Sequence, residues 1–259
     1  MRARSSFAVL ALAALLAFSA AGGLAAEEAA ADLDGKAAVL LADAPDGDAA
    51  RFAQALALAF EREAEAAGIS IAAKAAVGLE GNTVFLAVGR LGPQKRMREL
   101  VELWAELLSE ERVKPGIRLV IVGKGPEEKK LKEAVAQLEV GQSVTLAGPK
   151  DDLLPYYRAA DVFVLFSLTG GMSNSMLEAM ACGVAVMAAR GGGAGDAVTE
   201  GESGCLFDPL NPGEIKQCLR RFIADRNLAL RLGEKARATA VEKYSMARVA
   251  DEIMKIYEE

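Results

Sequence analysis

The stretch "TVFLAVGRLGPQKRM", Thr83 to Met97, runs an unbroken apolar segment into a loop carrying glycine, proline and basic side chains. An apolar run without alternation reads as a strand buried on both faces, which is the condition of a parallel sheet covered by helices. The following residues agree with this reading. Leu100, Val101, Leu103, Trp104, Leu107 and Leu108 recur at helical spacing on one face. Beyond them come further short apolar runs, "IRLVIVG", "SVTLAG", "DVFVLFS", "VAVMAA" and "GCLFDP", separated by amphipathic segments. The pattern from about Asn82 onward predicts a doubly wound, Rossmann-like α/β domain with a parallel sheet. Such sheets bind ligands beyond the carboxyl ends of their strands, so the loops after each run hold the candidate chemistry.

Composition narrows that chemistry. The 259 residues are 52% hydrophobic and 25% charged, ordinary values for a globular chain. The formal net charge of −6 argues against general nucleic-acid binding, which relies on excess basic residues to neutralise phosphates. The chain has no histidine, which removes the commonest general base and every Ser-His or Cys-His nucleophile pair. Cys182, Cys205 and Cys218 show no CxxC spacing, so a structural zinc site is not expected. Buried or free thiols are favoured over a disulfide framework.

Upstream of the α/β pattern, residues 1–26 place two arginines before an uncharged Ala/Leu-rich run and small residues, the layout of a secretory signal peptide. An uncleaved membrane anchor and an organelle transit peptide are the alternatives. Residues 27–81 read as a short βαβ-like segment. In it "AAVLLAD" and "ISIAAKAAV" are apolar runs flanking an amphipathic stretch, and "GLEGN" marks a boundary near Gly81.

Within residues 82–259 the first loop, "GRLGPQKR", sets Gly89, Arg90 and Lys95 ahead of a helix. A guanidinium fork and a compact ammonium together suit a diphosphate, and a solvated basic loop is the rival reading. The turn "VGKGPEE", with Gly125, places a proline and glutamates at a helix start. In "AGPKDD", Lys150 and Asp152 either edge a base or sit in a turn. The segment "SLTGGMSNSMLEAMACG", Ser167 to Gly183, brings Gly170, Gly171, Met172, Ser173 and Asn174 to a helix start, where free amides and the helix dipole favour an anion. Glu178 follows. It either accepts two hydroxyls at once or, with Ser175, forms a capping box. In "ARGGGAGDAVTEGESG", Asp196 either contacts a ligand or turns the chain.

Taken in series, "GRLGPQK", "VGKGP", "GGMSNSMLEAMACG", "GVAV" and "GGAGDAV" resemble the donor-binding, C-terminal half of retaining glycosyltransferases of the two-domain GT-B fold, the large family-4 group. The resemblance runs from about residue 82 to 258. It implies that Arg90 and Lys95 hold the diphosphate of a nucleotide sugar and act as the catalytic residues. Amides near Gly171 to Ser173 would assist, and Glu178 would take the ribose. It further implies a UDP-, GDP- or similarly linked donor, transfer with retention to a sugar, lipid or protein acceptor, no required cofactor or metal, and help from the diphosphate in deprotonating the acceptor. Stabilising charge on the leaving diphosphate is the catalytic contribution these residues support.

Three positions depart from the family pattern: Gly170 stands where a glutamate touching the donor sugar is usual, Asp196 where glutamate is usual, and Ala185 where proline is usual. The segment upstream does not resemble an acceptor domain. The expectation is therefore a hexosyltransferase-type enzyme, with an inactive nucleotide-sugar-binding relative as the alternative and a secreted solute-binding fragment as a weaker third. The leader places the chain in the secretory pathway or at a membrane, with an organelle or the cytoplasm as the alternative.

Overall fold

The computed structural model describes residues 70–110, 116–167 and 172–244. The leader and residues 27–69 of the 27–81 segment therefore lie outside the described residues. What is described belongs to one compact unit, Ser70–Glu259.

Six strands, β1 (Thr83–Val88), β2 (Ile117–Val122), β3 (Val144–Gly148), β4 (Val162–Leu165), β5 (Ala185–Ala189) and β6 (Gly204–Phe207), form one sheet in the order β3-β2-β1-β4-β5-β6. Every pairing is parallel. The chain winds outward from β1 to β3, crosses back, and winds the other way from β4 to β6. The switch point therefore falls between β1 and β4, whose register pairs Phe85 with Val162. All six apolar runs read from about Asn82 onward are strands.

The unbroken apolar character of β1 has a direct cause: both faces of the sheet are covered. Phe85 and Ala87 enter one core with Leu119, Ile121 and the face of the helix α2 (Met97–Glu110) that carries Leu100, Val101, Leu103, Trp104 and Leu107. Val84, Leu86 and Val88 enter the other, with Phe163, Met176 and Met180. Trp104 meets Phe85 edge-on at 5.3 Å between ring centroids, and its indole N–H donates to the Ser143 hydroxyl at 3.1 Å. That bond meets the need of a fully buried indole for an acceptor.

The apolar run "ISIAAKAAV", expected as a strand, is instead helical over residues 70–76, here α1. Its alanines favour a helix. Gly78, with φ of 70°, closes it, with Leu79 N–H bonded to the Lys74 carbonyl and Gly78 N–H to that of Ala75, a Schellman arrangement. Lys74 explains why this helix belongs to the domain. Its ammonium donates to both Asp161 oxygens, at 2.9 and 2.7 Å, and to the Asn82 carbonyl at 2.9 Å. Asp161 also accepts the Val84 N–H at 2.7 Å. One ion pair thus ties α1 to the beginnings of β1 and β4.

The remaining helices are α3 (Glu128–Gln137), α4 (Leu154–Ala159), α5 (Asn174–Ala181), α6 (Gly193–Ala197), α7 (Pro212–Ala224) and α8 (Arg226–Tyr244). Contrary to the expectation of unpaired thiols, Cys205 on β6 and Cys218 on α7 form a disulfide, with Cα atoms 6.2 Å apart. The packing of α7 on β6 faces these two side chains toward each other, which spacing along the chain does not reveal. Cys182 is free and half-buried, and burial raises its thiol pKa.

Candidate functional site

The loops after β1 and β4 flank the switch point. After β1 the chain makes a short 3-10 turn, Pro93–Lys95, and Arg96 then takes a left-handed conformation before α2 begins. Lys95 folds back over Gly89: a side chain at Gly89 would meet the Lys95 Cε at 3.8 Å. Arg90 is exposed, and neither its side chain nor that of Lys95 is engaged in a hydrogen bond or ion pair with another described residue. Two cationic groups of this one loop are thus available at the end of the strand beside the switch.

After β4, α5 begins at Asn174 with Ser173 as its N-cap. The Ser173 hydroxyl accepts from the Met176 N–H at 3.4 Å. The capping-box reading of Ser175 with Glu178 therefore fails. Ser175 lies inside the helix, and its hydroxyl donates to the Val88 carbonyl at 3.2 Å. This bond seats the N-terminus of α5 against the last residue of β1. It joins Met172, Ser173 and Asn174 to the strand end that carries Gly89 and Arg90. Met172 is half-buried against the core and Asn174 is exposed. Gly170 and Gly171 lie outside the described residues.

Glu178 is exposed on α5, and its Oε2 accepts the Tyr157 hydroxyl at 2.6 Å. Tyr157 is buried on α4, and burial followed by the bond to Glu178 drives its phenol pKa far above the usual range. The phenol is thus a fixed donor to the carboxylate at any ordinary pH. Adjacent tyrosines in "LPYYRAAD" were the only sequence signal for this partner, and they do not say which of the two turns inward.

The other candidates stand apart from this group. Gly125 is small because the β1 loop needs the space: its Cβ would strike the Leu91 backbone, while the Leu91 N–H donates to the Lys124 carbonyl and Leu91 O accepts from Glu127. The neighbouring Gly123, at φ of 144°, is held against the Gly89 carbonyl in the same way. These glycines fix the shape of the cationic loop by letting β2 approach it. Pro126 precedes α3 instead of lying in its first turn. Lys150 follows the edge strand β3 and lies over the Tyr156 ring at 5.7 Å, and Asp152 accepts the Leu154 N–H at 3.0 Å. Asp196 is exposed in the first turn of α6, beyond the end of β5.

Arg96 is a site-shaping residue the sequence reading passed over. Its guanidinium donates to the Pro209 carbonyl at 2.7 Å and lies 5.3 Å from the centre of the Phe166 ring. It thereby pins the cationic loop to the segments that follow β4 and β6.

The model of the family described as "Glycosyl transferases group 1" matches residues 70–239. The chain belongs to this family. Among relatives, the D-inositol 3-phosphate glycosyltransferase of Streptomyces bingchenggensis is 34% identical over 198 residues, covering 73% of this chain and 43% of that protein. Sucrose-phosphate synthase from Thermosynechococcus elongatus superposes with a TM-score of 0.65 at 28% identity, covering 72% of this chain and 47% of that one. HepE of Anabaena, solved in complex with UDP and glucose, superposes with a TM-score of 0.66 at 23% identity, over 74% of this chain and 52% of that chain, a likeness of fold. The chain spans about half the length of the curated relatives it matches. Its described fold is the C-terminal half of the GT-B architecture.

Proposed function

We propose that residues 70–259 form the donor-binding domain of a glycosyltransferase that moves a sugar from a nucleoside-diphosphate sugar to a sugar, lipid or protein acceptor with retention. The observation that carries this reading is the Ser175–Val88 bond, which sets a helix N-terminus against the strand end bearing Arg90 and Lys95. Cations and helix amides converging at one switch point suit a diphosphate, and they favour the charge that builds on it as the sugar departs. Glu178, one helical turn along α5, is the group suited to ribose hydroxyls. The UDP in the Anabaena HepE structure accords with a nucleotide ligand for this fold. In this reading the cations of the chain do the work of a metal, and transfer survives chelation by EDTA. The leader directs the protein to the secretory pathway or to a membrane.

Gly170, where the family resemblance places a sugar-contacting glutamate, favours a second reading as a nucleotide-sugar-binding relative without transfer. Calorimetric titration of the full chain with UDP, GDP and their sugars, followed by product analysis with candidate acceptors, tests both. Absence of binding to every nucleotide would sink them together. Binding without transfer, with transfer gained in Gly170→Glu, would select the second.

A further inference from the structure

We infer that Tyr157 is a positioning residue that pre-orients Glu178 toward the ribose of the donor, an inference that rests on the donor-site reading above. Glutamate on an exposed helix face samples several rotamers, and fixing it costs conformational entropy when a ligand arrives. Here that freedom is already restricted. The Tyr157 hydroxyl holds Oε2 at 2.6 Å, and no other described residue hydrogen-bonds the carboxylate.

The phenol is itself immobile. Tyr157 is 3% exposed, tilted against Phe163 with ring centroids 6.3 Å apart. Its helix, α4, leads directly into Asp161, which is held by Lys74 and by the Val84 N–H. A rigid donor therefore reaches from the core to an exposed acceptor. A carboxylate offers about four acceptor sites, and Tyr157 occupies one, so sites on both oxygens remain for a pair of neighbouring hydroxyls. A merely structural pairing would satisfy the buried phenol and have no bearing on which ligands bind.

The test is calorimetry on the full chain with UDP, GDP, ADP and inorganic pyrophosphate, comparing wild type with Tyr157→Phe, Glu178→Gln and the double variant. Tyr157→Phe keeps the ring in its core. The expected result is a loss of about three- to tenfold in affinity for the nucleoside diphosphate that wild type binds, from the rotamer freedom restored to one side chain. Pyrophosphate, which has no ribose, binds unchanged, and the loss vanishes in the Glu178→Gln background. Glu178→Asp supplies an independent arm. It leaves Tyr157 in place but shortens the carboxylate away from it, and it should reproduce the ribose-selective loss.

Equal weakening of pyrophosphate and nucleotide, no change in either variant, or full additivity with Glu178→Gln would overturn the inference. If wild type itself binds no nucleoside diphosphate more tightly than pyrophosphate, the ribose reading fails before any substitution is compared.

Discussion

Replacing Lys74 by methionine probes the anchor beneath the site. The substitution keeps most of the apolar stem and removes the ammonium, abolishing its bonds to Asp161 and to the Asn82 carbonyl. The side chains of Lys74 and Asp161 are 11% and 22% exposed, so the pair is closer to a buried than to a surface ion pair. Breaking a buried pair by removing one partner costs about 3–5 kcal/mol, whereas an exposed pair contributes about 0–1 kcal/mol. Asp161 keeps the Val84 N–H and some contact with water, which favours the lower end, about 3 kcal/mol. For a domain of this size each kcal/mol shifts Tm by about 2–4 °C, so the expected fall is roughly 6–12 °C. Thermal unfolding followed by circular dichroism measures it, and a double-mutant cycle with Asp161→Asn isolates the coupling. A fall under about 2 °C, or strict additivity in the cycle, would show that α1 is not fastened to the strands that carry the site.

Arg90→Ala should weaken the bound nucleotide by about ten- to a hundredfold, the loss expected for a hydrogen bond to a charged group, and unchanged affinity in calorimetry would remove Arg90 from the diphosphate site. The Tyr157 phenol is held protonated in the fold by burial and by its bond to Glu178. Its contribution is fully present below the unfolded tyrosine pKa of about 10 and declines as pH rises above it, because the unfolded state then releases the proton first. Denaturant unfolding across that range should show a shallower decline in Tyr157→Phe than in wild type. Reducing the Cys205–Cys218 bond, or replacing Cys218 by alanine, should lower stability by about 3 kcal/mol for a closed loop of this length; an unchanged midpoint in urea would show that the bond does not staple β6 to α7.

Most of the fold was legible in the chain because buried parallel strands must be apolar on both faces, and six such runs stand out between amphipathic helices. The exception is instructive. "ISIAAKAAV" is as apolar as a strand, but its alanines and the left-handed Gly78 end it as a helix, and its lysine finds a carboxylate 87 residues away. The same limit governs the site. Arg90, Lys95 and the α5 turn could be read as ligand-facing because residue type and strand-end position carry that chemistry locally.

The sequence by itself determined the alternation of buried strands and helices, the absence of histidine chemistry and the family to which the loops bear likeness. Only the tertiary structure decided which groups meet: Ser175 with Val88, Tyr157 with Glu178, Arg96 with Pro209, and Cys205 with Cys218. Periodicity is written along one chain segment at a time, whereas these bonds join different segments: Ser175–Val88 and Arg96–Pro209 span the switch point, and the other two join elements that pack as neighbours. It also removed the capping-box reading of Glu178. A helix capped by Ser173 leaves no place for a capping box at Ser175, and a buried phenol claims one oxygen of the carboxylate instead.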